Sequence, residues 1–174
     1  MNNDKIRTKR PERISKYFIP RKVITETQIY FRKVGKERRE SIAYWSGVFK
    51  GSRAIIKGVI FPNQDVEAET SYLGYSHVGL QKAFKIGKIM HERKEYLLIQ
   101  LHTHPFEAFH SWIDNSYPIS HRVGFVSIVI PHFARNSMED KVTWGVYEYK
   151  GEGKWRTLNQ GQINDRFVIT NGDE

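Results

Sequence analysis

Tyr96 to Pro105 reads YLLIQLHTHP. Its first six residues are almost wholly apolar, and a short run of that kind reads as a strand buried on both faces. Residues two apart in an extended chain point to one side. A strand that continues to His104 therefore projects His102 and His104 together, which is how two imidazoles meet one ion. Thr103 points the other way and is read as structural, and Pro105 stiffens the exit. Ten residues after His104 stands Asp114, far enough along for a loop to bring back an oxygen ligand. Two imidazoles and a carboxylate, with a fourth position left to water, make a catalytic zinc site. The bland reading of a lone His-x-His is a pair of surface histidines at a strand end.

Outward from this stretch, Gly124 to Ile130 (GFVSIVI) is a second apolar strand. Upstream, Ile42 and Tyr44 fall on one face of an extended segment and Ala43 and Trp45 on the other, with a bend over Gly47 to Gly51. Ala54 to Phe61 (AIIKGVIF) is its hairpin partner. Thr25 followed by Gln28 matches a capping box, with Ile24 and Ile29 as its staple, so a helix runs from there to about Val34 and stops at Gly35. Ser76 caps a second helix, to about His91, with Leu80, Ala83, Phe84, Gly87 and Met90 on one stripe. Val142 to Tyr149 alternates as a half-exposed strand. Gly151 to Gly153 turns into a short return over Lys154 to Leu158, and Ile163 to Ile169 is too short to assign. The class is a mixed α/β sandwich.

The four blocks Glu40-Ser-Ile-Ala-Tyr-Trp-Ser-Gly47, His102-Thr-His104-Pro, Ser111-x-x-Asp114 and Gly124 to Pro131 stand in this order along the chain. Together they resemble the signature of the JAB/MPN metalloproteases, the JAMM family, and the likeness runs from about Ile19 to Tyr149. The chain departs from the pattern at one place. Six residues separate His104 from Ser111, where the family has seven. The resemblance implies the JAB/MPN fold, a cytidine-deaminase-like mixed sheet flanked by helices. It implies Zn²⁺ on His102, His104 and Asp114. Glu40 would take a proton from water and return it to the leaving amine, and Ser111 would donate its hydroxyl to the oxyanion. Taken alone, Glu40 reads as an exposed strand end and Ser111 as a loop cap. Glu107 and His110 fit no position of the motif and are set aside, and His77, His91, His121 and His132 are read as structural or surface residues.

The resemblance further implies hydrolysis of peptide or isopeptide bonds after the C-terminal tail of a ubiquitin-like modifier, the tail adding to a sheet edge near the metal. Short bacterial members occur beside E1/E2-like conjugation enzymes, some in anti-phage systems, so those enzymes are expected partners. A sulfur-carrier protein or a small peptide is an alternative substrate. A non-catalytic scaffold or binding subunit is the alternative outside enzymes, and a cupin would demand more strands and fewer helices.

The 174 residues suit one domain. The absence of cysteine excludes disulfides, a thiolate nucleophile and a cysteine zinc finger, so any metal falls to His and carboxylates. No apolar run approaches the roughly 20 residues of a membrane span, and no secretory segment opens the chain, so no membrane partner and a cytoplasmic location are expected. The net charge of +9 is uneven. Residues 1–22 hold eight Lys and Arg against Asp4 and Glu12, a net +6. Residues 1–18 are read as a basic, flexible arm and 19–174 as a single domain. Such an arm can touch nucleic-acid phosphates, a reading disfavoured because no aromatics interleave with its charges before Tyr17.

Overall fold

The computed structural model describes residues 9–62, 80–110 and 119–172. One mixed sheet of eight strands organises them. The strands are β1 (Lys16–Pro20), β2 (Ile42–Lys50), β3 (Arg53–Ile60), β4 (Tyr96–Thr103), β5 (Val126–Ile130), β6 (Gly145–Gly151), β7 (Lys154–Thr157) and β8 (Phe167–Thr170). Their order across the sheet is β7-β6-β5-β4-β2-β3-β1-β8. Three α-helices are described with them: α1 (Arg21–Gly35), α2 (Leu80–Arg93) and α3 (Gln160–Arg166).

The expected hairpin of β2 and β3 is present and antiparallel, with a bulge between Ser46 and Gly47. Gly47 does not end the strand, which runs on to Lys50. It is needed because a Cβ there would lie 1.9 Å from the Ile55 carbonyl oxygen. β2 pairs antiparallel with β4, and β4 parallel with β5. The apolar run of β4 is therefore central, as two-faced burial demands. With β2 and β5 on its flanks, β4 itself has no free edge for an added strand.

Alternation sorts the two faces. Ala43, Trp45, Ile99, Leu101 and Ile128 pack with Val23, Ile24 and Phe31 of α1 and Ile163 of α3. Ile42 and Tyr44 pack with Ile86 and Met90 of α2. The buried Trp45 indole donates to Thr27 Oγ1 of α1 (2.8 Å), fixing that helix on its face.

Several boundaries differ from expectation. β1 begins at Lys16, within the stretch read as arm, with Tyr17 fully buried between the neighbours β3 and β8. α1 starts at Arg21, directly after Pro20, and has no side-chain cap. Thr25 instead donates to the Arg21 carbonyl inside the helix (3.0 Å), and Ile29 is exposed, so neither capping box nor staple forms there. The burial stripe of α2 runs through Ile86 and Met90 and leaves Phe84 and Gly87 exposed. Its expected cap, Ser76, lies outside the described residues. The unassigned segment after Leu158 is α3 and β8, and α3 carries a real capping box between Asn159 and Gln162. No helix among the described residues is long and apolar enough to cross a membrane.

Candidate active site

His102 and His104 stand at the C-terminal end of β4. Register pairs His102 with Ile42 on β2 and with Val129 on β5. Both histidines therefore project on the α2 face of the sheet, where Ile42 lies. Both are buried, at 4% and 5% exposure. Their ring centroids are 5.0 Å apart with planes at 52°. Two imidazoles on one tetrahedral ion, with metal–nitrogen bonds of about 2.0–2.1 Å, place their ring centres about 5 Å apart. The pair thus has the spacing that one shared ion requires, and its donor chemistry suits a borderline divalent metal.

Backbone bonds fix the strand end. The His104 N–H donates to the Ile130 carbonyl (3.0 Å), and the His104 carbonyl accepts from the Phe133 N–H (3.0 Å). Thr103 points to the other face, as expected, and is wholly buried. Its N–H donates to the Ser41 carbonyl and its Oγ1 accepts from the Ser41 N–H, each at 3.0 Å, while the two hydroxyl oxygens are 3.2 Å apart. This clasp holds the start of β2 against the end of β4. Continuing the register from Ile42 opposite His102 sets half-buried Glu40 opposite His104. Glu40 itself precedes β2, two residues before the last paired position, Ile42 opposite His102.

The segment after His104 folds back over β6. Tyr147 Oη donates to the Ala108 carbonyl (3.2 Å), and Gly145 lacks the Cβ that would meet that oxygen at 2.4 Å. His110 is stacked on Tyr147 with centroids 4.4 Å apart and meets Trp155 edge-on at 4.7 Å. Its ring lies 6.0 Å from that of His102. Sequence reasoning set His110 aside, yet packing makes it a wall of the site. Phe109 meets His104 edge-on at 4.8 Å and is itself half exposed (54%), an apolar lip beside the histidines. Glu107 is exposed. Ser111 and Asp114 lie outside the described residues. Among the described residues no group of three His, Cys, Asp or Glu is arranged to hold an ion.

The floor against which His104 is pinned is unusual. His132, Phe133 and Ala134 have φ of 53°, 52° and 58°, a left-handed turn with no glycine. α1 braces it: Arg32 Nε donates to the Ala134 carbonyl (2.8 Å) and Gln28 Nε2 to the same oxygen (3.1 Å). Gly35 lets α1 approach, since a Cβ there would sit 2.4 Å from Phe133 Cβ.

Comparison with known proteins adds the rest. Over 152 residues, covering 87% of this chain and 93% of the other, the chain is 27% identical to a protein of Sinorhizobium fredii. That protein is the probable metalloprotease y4jG. The match to y4jG spans nearly its whole length. No family model matches the chain. The solution structure of protein DSY2949 from Desulfitobacterium hafniense superposes with a TM-score of 0.60 at 13% identity, over 91% of this chain and 95% of that one, a likeness of fold.

Proposed function

We propose that the chain is a metal-dependent peptidase of the JAB/MPN type, acting after the C-terminal tail of a ubiquitin-like modifier. One observation carries the reading: two buried imidazoles at one strand end with ring centroids 5.0 Å apart, a spacing that suits a shared ion. Its distant homologue y4jG is named a probable metalloprotease, which implies a metal. In this reading His102 and His104 hold the ion, zinc by donor type, and Asp114 completes the set. A bound divalent ion supplies the Lewis acidity that activates water and polarises the scissile carbonyl. Glu40 accepts the proton of the attacking water and passes it to the departing amine. Ser111 donates to the developing oxyanion. The substrate tail lies across the α2 face, past Phe109, because β4 has no open edge to extend. E1/E2-like enzymes as partners and a cytoplasmic setting belong to the same reading.

The test is cleavage of a modifier fusion by the wild type, Glu40→Gln and His104→Ala, with metal content measured on each. The expected result is about one divalent ion per chain, lost in His104→Ala and kept in the inactive Glu40→Gln. Equal cleavage by all three removes the proposal.

A further inference from the structure

The α1 face of the sheet carries a second feature that the peptidase reading does not use. A cavity of about 370 Å³ opens between the segment entering β1, the turn before β5, and strands β6 and β7. Arg10, Arg13, Lys150, Arg156 and Arg166 line it, around Glu148. Glu148 pairs with Val126, and Val126 with Ile99, three residues before His102 and on the opposite face. The cavity is therefore on the other side of the sheet from the histidines and towards its other end.

Its charge is not balanced from within. Glu148 is nearly buried and is bridged to Arg156 and to Arg166, the latter at 3.5 Å. Glu12 also lines the cavity. Five cations against two carboxylates leave three positive charges. Arg10, Arg13 and Lys150 have no carboxylate at ion-pair distance among the described residues. The Arg10 guanidinium, 6.0 Å over the Phe49 ring, also faces Arg122, and burial together with that like charge lowers its pKa. Held cations of one sign in a recess are a standing demand for an anion. Guanidinium forks meet phosphate oxygens in pairs. The recess has the size of a small-molecule pocket, and a second cavity of about 470 Å³ continues from it along Arg13, Arg156 and Arg166. No aromatic residue lines the first cavity among the described residues, so nothing there stacks a base.

We propose that this recess binds a small anion bearing several phosphates, such as a triphosphate group, drawn by its surplus of positive charge. The probe is inorganic tripolyphosphate, titrated calorimetrically into the full chain at low salt. Saturable one-to-one binding is expected. It should weaken by about tenfold or more in the Arg10→Gln/Arg13→Gln double variant, as loss of two charge-assisted contacts requires, and should weaken as salt is added. His104→Ala should bind like the wild type. Lys150→Gln, a change at an exposed position, should also weaken binding and serves if the double variant folds poorly. Absence of saturable binding, equal affinity in wild type and charge variants, or loss of binding in His104→Ala would overturn the proposal. So would binding of a single-stranded oligonucleotide in place of tripolyphosphate, since that assigns the charge to nucleic acid.

Discussion

Thr103 takes no part in the proposed chemistry, yet its hydroxyl helps decide where Glu40 stands. It accepts from the Ser41 N–H inside a buried clasp, one residue from the carboxylate. Thr103→Val keeps the shape and removes the acceptor, leaving a buried donor unsatisfied at about 1–3 kcal/mol. Urea unfolding should show that loss, and peptidase turnover should fall further than substrate affinity, because the clasp positions Glu40. Tyr17 gives a second test at this scale. Burial raises its phenol pKa to about 12, the nearby Arg166 and Arg10 partly opposing the shift. The unfolded chain releases that proton near pH 10, so stability is complete below about pH 10 and declines towards pH 12, by about 1.4 kcal/mol per unit. Tyr44, raised by burial in the same direction, adds to the decline. Tyr17→Phe should flatten the fall in denaturation midpoint between about pH 10 and pH 12. The histidine pair was legible in the sequence because the two-residue period of a strand is local. His110 was not, because its place depends on Tyr147 and on the missing Cβ of Gly145, both far along the chain.

At the scale of elements, the two capping boxes are instructive. Thr25 and Gln28 have the residue types of a box, but Pro20 starts the helix earlier and turns them into interior positions. A proline before the first turn outweighed a side-chain cap. The box that forms, Asn159 with Gln162, precedes a helix of seven residues with too little apolar repeat to be read as one. Gly35 was expected as a helix terminator. Its larger role is to admit the left-handed turn at residues 132–134, whose three non-glycine residues each cost about 1–2 kcal/mol. The Gln28 and Arg32 bonds and the two backbone bonds flanking His104 offset that cost. Gly35→Ala gains helix propensity of about 1 kcal/mol. It forces a methyl against Phe133, a clash that typically costs about 1–3 kcal/mol. The backbone at Phe133 has little room to yield, so the clash should win. Thermal unfolding should show a lowered midpoint, and metal uptake should weaken with it.

At the scale of the molecule, the sheet is finished by its last strand. β8 pairs parallel with β1, joining residues some 150 positions apart, and Phe167 stacks on Tyr17 at 5.0 Å. Nothing local announces such a pairing, which is why the mixed α/β class could be read from sequence and the strand order could not. Ending the chain at Leu158 removes α3 and β8 and uncovers Tyr17, Ile19 and the edge of β1. Exposed edges of that kind associate. The truncated chain should be recovered mainly as aggregate in a solubility assay, and a soluble monomer would contradict the account.

β4 has a further consequence through its place between β2 and β5. The amides of Thr103 and His104 donate at the end of that central strand, to the Ser41 and Ile130 carbonyls, so deuterium should reach them slowly. If the imidazoles hold an ion, as the proposed peptidase requires, a chelator should strip it without loosening the backbone beneath them. The apo protein should keep its slow amide exchange and reload without refolding.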